Sequence, residues 1–291
     1  MQVRRGTMAT TNLSRIIKNI EDLPTLPRNV LAITELVNNP QSSARDLAGL
    51  ITEDQVLTAR LLKLVNSAFY GFPRRIATVT GAIVLLGFDA IRNLLLTTSL
   101  FDFFSGQRDN GSFKREALWD HSLGCAVGAK AIGAYLGYEK IEELFVSGLL
   151  HDIGKIVEMV FLRKDFEKVN TVVGVEDILF VEAEERLLEY THAEVGKILA
   201  EQWSLPLKHV DAIAYHHEPH RSEQFAVESS IVHLADILCR ALNFGSGGDK
   251  KIPPLNQHVL KILELEMNAV EPIMEKVEHE FCDIQSFSEH F

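Results

Sequence analysis

Apolar residues recur along this chain at intervals of three and four, the period of a helix with one buried face, and seldom in the strict alternation of a strand. Pro27 suits the first turn of a helix in which Val30, Leu31, Ile33, Thr34 and Val37 share a face, ended by Asn38-Asn39-Pro40. Ser42 or Ser43 can cap a second helix, with Leu47, Leu50 and Ile51 turned inward. A third carries Val56, Leu57, Leu61, Leu62, Leu64 and Val65 and stops before Gly71-Phe72-Pro73. Residues 81–86 and 90–104 predict two more, separated at Gly87. The best strand candidate, Thr171-Val172-Val173-Gly174-Val175, is short and solitary. The pattern therefore predicts an all-α, multi-helical bundle.

The polar stretch 107–111 (Gln-Arg-Asp-Asn-Gly) divides the chain, and every one of its 11 histidines follows it. We expect an N-terminal helical lobe over residues 12–106 and a second helical lobe over 112–243. Gly245-Ser246-Gly247-Gly248 and Pro253-Pro254 suggest a flexible linker over 244–254, with a helical tail at 255–291.

The second lobe concentrates the candidate chemistry. His121, His151, Asp152, His192, His216, His217 and Asp236 each fall on or beside a helical segment. The His151-Asp152 and His216-His217 doublets both close apolar helices, where the turn can aim neighbouring side chains at one centre. Asp236 lies among Leu234, Ala235, Ile237 and Leu238, where a carboxylate needs a partner. Imidazoles and carboxylates without thiolate suit one or two divalent ions, iron or manganese first, with nickel, zinc or magnesium compatible. Asp152 could bridge two ions with its two oxygens.

Cys125, Cys239 and Cys282 are far apart and read as small buried residues. His209, His220, His233, His258, His279 and His290 read as structural or surface residues, His233 also as a supporting partner one turn before Asp236. Lys155 is either a catalytic group steadying developing negative charge or a solvated lysine. Glu218 is either a base behind the metal or a surface glutamate.

The formal charge of −11 argues against non-specific binding to nucleic acid or anionic membranes. Mean hydropathy is +0.05, yet no apolar run reaches the ~18–20 residues of a membrane span, and the N-terminus lacks an apolar signal core. We expect a cytoplasmic protein. Residues 44–65 resemble a helix-turn-helix, but Leu57, Leu61, Leu62, Leu64 and Val65 make the second helix too apolar to read DNA.

Leu149-Leu150-His151-Asp152-Ile153-Gly154-Lys155, with the outlying histidines and Asp236, resembles the HD superfamily of metal-dependent phosphohydrolases over residues 119–240. Leu23-Pro24-Thr25-Leu26-Pro27, Leu64-Val65-Asn66-Ser67-Ala68-Phe69-Tyr70-Gly71, Ala82-Ile83-Val84-Leu85-Leu86-Gly87 and Trp203-Ser204-Leu205-Pro206 extend the likeness to the HDOD family over residues 20–240. That resemblance implies an all-helical bacterial signalling module. It implies one metal held by His121, His151, Asp152 and Asp236, and another held by His192, His216 and His217, with Asp152 bridging. The likeness to HD-GYP phosphodiesterases is partial. Pro219-His220-Arg221-Ser222 stands where their Gly-Tyr-Pro signature belongs, a loop that shapes the substrate pocket in those enzymes. The phosphodiesterase alternative here is one acting on a nucleotide or cyclic dinucleotide.

Two functions follow as expectations. One is a regulatory protein acting through a signalling-protein partner or a nucleotide ligand, either as a monomer or as an oligomer. The other is a metal-dependent phosphohydrolase or phosphodiesterase. Residues 55–88 contain no acid while Arg60, Lys63, Arg74 and Arg75 are basic, so this face suits an acidic partner or a phosphate. Asn66 and Tyr70 fit either a loop-fixing role or a contact site. A di-iron site sensing oxygen or redox state uses the same ligands.

Overall fold

A computed structural model describes residues 41–66, 70, 72–88, 90–92, 94–95 and 113–288, with Ala32, Leu36 and Asn39, but not the side chains of Val56, Arg60 and residues 283–288. The expected helix after Pro27, the Leu23–Pro27 motif, most of 90–104 and the 107–111 connection lie outside the described residues. So do positions 67–69 and 71.

In the N-terminal lobe, α1 (Ala44–Thr52), α2 (Gln55–Val65) and α3 (Val79–Leu86) form where the apolar period predicts them. Ser43 caps α1: its hydroxyl accepts from the Asp46 N–H while the Asp46 carboxylate accepts from the Ser43 N–H. Such a cap is worth about 1 kcal/mol. Gly87 ends α3 at φ +86°, a conformation open to glycine. Leu47, Ile51, Leu57, Leu61, Leu64, Val65, Ile83 and Ile91 meet in a wholly apolar core. Leu57, Leu61 and Leu64 of α2 are buried there, while Gln55, Ala59 and Lys63 are exposed. Asn66 donates to the carbonyls of Leu62 and Ile76 and accepts from the Ile76 N–H, which makes it a loop-fixing residue.

The second lobe is built on α4 (Arg115–Tyr135) and α5 (Ile141–Leu150), followed by α6 (Ile153–Phe161), α7 (Arg163–Glu176) and α8 (Phe180–Leu187). Then come α9 (His192–Gln202), α10 (Leu207–Tyr215) and α11 (Ala226–Ala241). A short α12 (Val259–Ile262) precedes α13 (Val270–Ser288). No β-strand occurs among the described residues. The strand candidate at 171–175 is helical, because Phe166, Val169 and Val173 continue one buried helical face through it.

Glycines set the close helix crossings of this lobe. A Cβ on Gly128 would stand 3.2 Å from that of Ala235, where α4 crosses α11, and one on Gly148 would stand 2.5 Å from the Cys125 carbonyl, where α5 crosses α4. A Cβ on Gly154 would strike the His192 carbonyl, so α6 lies against the start of α9. These contacts draw five helices onto one point.

The segment expected as a flexible linker is instead anchored. Gly245 packs on the backbone of α4, the Ser246 N–H donates to the Ala117 carbonyl at 2.7 Å, and Asp249 accepts from Arg240 and from the Phe180 N–H. Its glycines serve close approach rather than freedom. The tail packs on the same body through Ile273, Val277 and Phe281, with Phe281 stacked on Phe244. Tyr70 joins the lobes: its hydroxyl donates to Glu142 at 3.2 Å and Lys130 lies over its ring. No helix among the described residues is long and apolar enough to cross a membrane.

Candidate metal centre

The seven expected donors meet. His121 comes from the first turns of α4, where Arg115–Trp119 supply the turn before it. The chain leaves helical geometry at Asp152 (φ −99°, ψ 12°) between α5 and α6, and this break turns the adjacent His151 and Asp152 onto one centre. Thr191 caps α9, its hydroxyl accepting from the Glu194 N–H while the Glu194 carboxylate accepts from the Thr191 N–H, and this fixes His192 as the first helical residue. His216 and His217 follow the last residue of α10, and Asp236 projects from mid-α11.

Asp152 lies at the middle. Its Oδ2 is 3.6 Å from His121 Nε2 and 3.4 Å from His151 Nε2, while its Oδ1 is 3.2 Å from His192 Nε2 and 3.8 Å from His216 Nε2. Asp236 Oδ1 is 3.2 Å from His121 Nε2, and His192 Nε2 is 3.4 Å from His216 Nε2 and 3.0 Å from His217 Nε2. Donors at ~2.0–2.3 Å from a tetrahedral ion are ~3.3–3.6 Å apart, so these spacings suit ligands around an ion. The two oxygens of Asp152 face the two donor groups that the family resemblance implies.

Two further observations test the fit. His151 Nε2 and Asp152 Oδ1 are buried and have no hydrogen-bond partner among the described residues, a costly arrangement for polar atoms unless a ligand satisfies them. Four rings also have Nδ1 engaged behind them. His151 is held by the Gly148 carbonyl at 2.7 Å, His216 by the Ile213 carbonyl at 2.8 Å and His192 by Glu184 at 2.7 Å, while His121 Nδ1 faces Cys239 Sγ at 3.6 Å. This orientation leaves each Nε2 turned to the centre, the arrangement that metal-binding histidines adopt.

Electrostatics agree. Burial pushes His192 down to about 4 and holds His216 and His217 well below the usual imidazole range, so their nitrogens are neutral donors. Burial alone would raise the carboxyls of Asp152 and Asp236, but Lys155 beside the first and Arg240 beside the second keep both well below the usual range. Burial would lower His121 and His151 too, but Cys125 and Asp236 push His121 up to about 10 and Asp152 raises His151. An ion bound at the first donor group must therefore displace protons there, while the second group already offers neutral imidazoles.

Several supporting residues were not legible as such. Lys155 is fully buried and donates to Asp152 Oδ2 at 2.7 Å, with its ammonium near the Phe180 ring, which rules out the solvated alternative. Arg240 donates from Nε to Asp236 Oδ1 at 2.8 Å, one helical turn away. That i, i+4 spacing was the available signal. Glu184 accepts from His192 through both ring and backbone, and adjoins the buried Glu158. Burial pushes Glu158 up to about 8, and burial together with the Glu158 carboxyl beside it raises Glu184. Nothing in the sequence placed these acids beside His192.

His233, a candidate support for Asp236, instead faces the His216 carbonyl through Nδ1 at 2.7 Å and accepts from the Asn256 N–H. Glu218 is exposed and pairs with Arg221 rather than standing behind the metal. His220 is exposed beside Asn256 and His258, and His209 is buried against Ser147. Lys63, Arg74 and Arg75 are exposed on the N-terminal lobe.

Comparison with known proteins agrees with this architecture. The model of the HDOD domain family matches residues 23–219. A crystal structure of an HDOD domain protein of unknown function from Geobacter sulfurreducens is 31% identical, with 97% of this chain and 94% of that one covered and a TM-score of 0.75. A protein of Marinobacter aquaeolei VT8, provisionally named for signal transduction, is 22% identical with a TM-score of 0.77, covering 99% of this chain and 66% of that one. That likeness shows the fold. An uncharacterized protein of Treponema pallidum (strain Nichols) is 28% identical over 81% of this chain, which spans 46% of that relative's length.

Proposed function

The chain belongs to the HDOD domain family, and from that premise we propose that it is a regulatory protein of bacterial signal transduction whose second lobe holds one or two divalent metal ions. His121, His151, Asp152 and Asp236 hold one ion, and His192, His216 and His217 hold the other, with Asp152 between them. Iron or manganese suits this donor set. The ion ties together α4, the α5–α6 junction, α9, α10 and α11, so its presence fixes how these elements pack. The partner is a signalling protein or nucleotide that meets the basic face of the N-terminal lobe around Lys63, Arg74 and Arg75.

One observation carries the preference for regulation over turnover. The two cations that touch the centre, Lys155 and Arg240, are both bound to its carboxylates, and their side chains are 0% and 6% exposed. Each therefore neutralises a carboxylate of the centre itself. A divalent ion bound here would supply Lewis acidity, but among the described residues the donors are buried except for the half-buried His217.

The test is hydrolysis of a generic phosphodiester and of cyclic dinucleotides by iron- or manganese-loaded protein, beside the Asp152→Ala variant. The regulatory reading expects no difference between the two. Metal-dependent turnover that vanishes in the variant would establish the phosphohydrolase instead. A further check is Arg74→Glu with Arg75→Glu, which should abolish partner or nucleotide binding and leave metal content unchanged.

A further inference from the structure

The first donor group contains a sulfur that its sequence position gives little reason to expect. Cys125 lies one helical turn after His121 on α4, so the two side chains share a face. Its Sγ is 3.8 Å from His121 Nε2, and single donor atoms of His121, Cys125, His151 and Asp236 all lie within 4.8 Å of one another. The close crossing at Gly148, three residues before His151, presses α5 onto the backbone at Cys125 and brings the His151 ring to the same place. All four residues are buried, and His151 Nε2 in their midst has no hydrogen-bond partner.

A sulfur at ~2.3 Å and a nitrogen at ~2.0 Å from a tetrahedral ion are ~3.6 Å apart, close to the observed separation. The geometry points to Cys125 as an additional ligand of this ion beside His121, His151, Asp152 and Asp236, a sulfur that the His192, His216 and His217 subsite lacks.

This inference rests on the metal-binding reading of the centre. On coordination the thiol gives its proton to solvent and the sulfur binds as thiolate. A mixed set of this kind selects borderline, thiophilic ions such as iron, cobalt or zinc over magnesium or manganese. Cys239 has a different part. Its thiol lies 3.4 Å from the carbonyls of His121 and Phe244, and it meets His121 at Nδ1, on the far side of the ring from the centre.

Cobalt(II) loading of the full chain after chelation tests the assignment. We expect visible cobalt bands together with a sulfur-to-cobalt charge-transfer band in the near ultraviolet. Cys125→Ser should lose the charge-transfer band and keep cobalt bound, and Cys239→Ser should keep both. X-ray absorption of the cobalt-loaded wild-type protein should show a sulfur neighbour at ~2.3 Å, which needs no variant to fold. Bound cobalt with only nitrogen and oxygen neighbours would overturn the Cys125 assignment while the metal centre stood. A charge-transfer band lost in Cys239→Ser but kept in Cys125→Ser would also overturn it. Failure of the protein to bind cobalt at all would overturn both.

Discussion

The two lobes are stabilised in opposite ways. The N-terminal core is apolar throughout, from Leu47 and Ile51 to Leu61, Val65 and Ile91. The second lobe has a larger apolar core, but its centre holds five imidazoles, two ionised aspartates, a lysine, an arginine and two further carboxyls. The first lobe draws mainly on the transfer of hydrocarbon out of water, with Arg92 its one buried charged side chain among the described residues. The second must also neutralise or ligate polar groups that would otherwise oppose folding. His151 Nε2 and Asp152 Oδ1 make no hydrogen bond among the described residues, their near neighbours being other donors of the centre. An ion completes that account for the second lobe. The first has no such requirement.

The contrast can be broken most forcefully at Asp152. Asp152→Ala removes the residue shared by both donor groups and leaves Lys155 unpaired in the interior. Metal affinity should fall by at least about 10–100-fold, read as metal per chain after dialysis. Leu61→Ala is the matching change in the other lobe. It should cost ~2–5 kcal/mol in denaturant unfolding, with metal content unchanged. Loss of metal from Leu61→Ala would show that the lobes are not separable in this way.

A smaller effect tests the boundary between the lobes. Burial, with Arg92 and Lys208 nearby, pushes His209 down to about 3, while its Nδ1 meets the Ser147 hydroxyl at 2.8 Å. Its unfolded value is ~6.5. The depressed folded value means that this stability is fully present above pH ~6.5 and is lost as pH falls from there toward 3. His209→Gln should therefore flatten the fall of stability between pH 6.5 and 4, measured on chelated protein so that metal release does not contribute. An unchanged acid limb would count against a neutral buried His209. The smallest effect belongs to His220, exposed beside Asn256: His220→Ala should leave metal content and stability within experimental error.

Legibility in the sequence follows the same division. The helical period located α1, α2 and α3 because each has a single buried face, and Ser43, one of the two candidate caps, stands at the start of α1 in the structure. The donors were visible because doublets at helix ends and an acid among leucines are unusual local patterns. Their partners were not. Glu184 and Glu158 look like ordinary acids on amphipathic helices until α6, α8 and α9 pack together. Gly245 and Gly247 look like linker glycines until the chain returns to α4, and Cys125 is one apolar residue among many until Gly148 admits α5. These roles arise from long-range packing, which local periodicity does not encode.

The most direct test is the metal content per chain of protein purified without an affinity tag or chelator, in air and under anaerobic conditions. One or two equivalents of a transition metal, iron foremost, are expected, most of it lost in Asp152→Ala. Metal-free protein that also fails to take up iron, manganese, cobalt or zinc on reconstitution would contradict it.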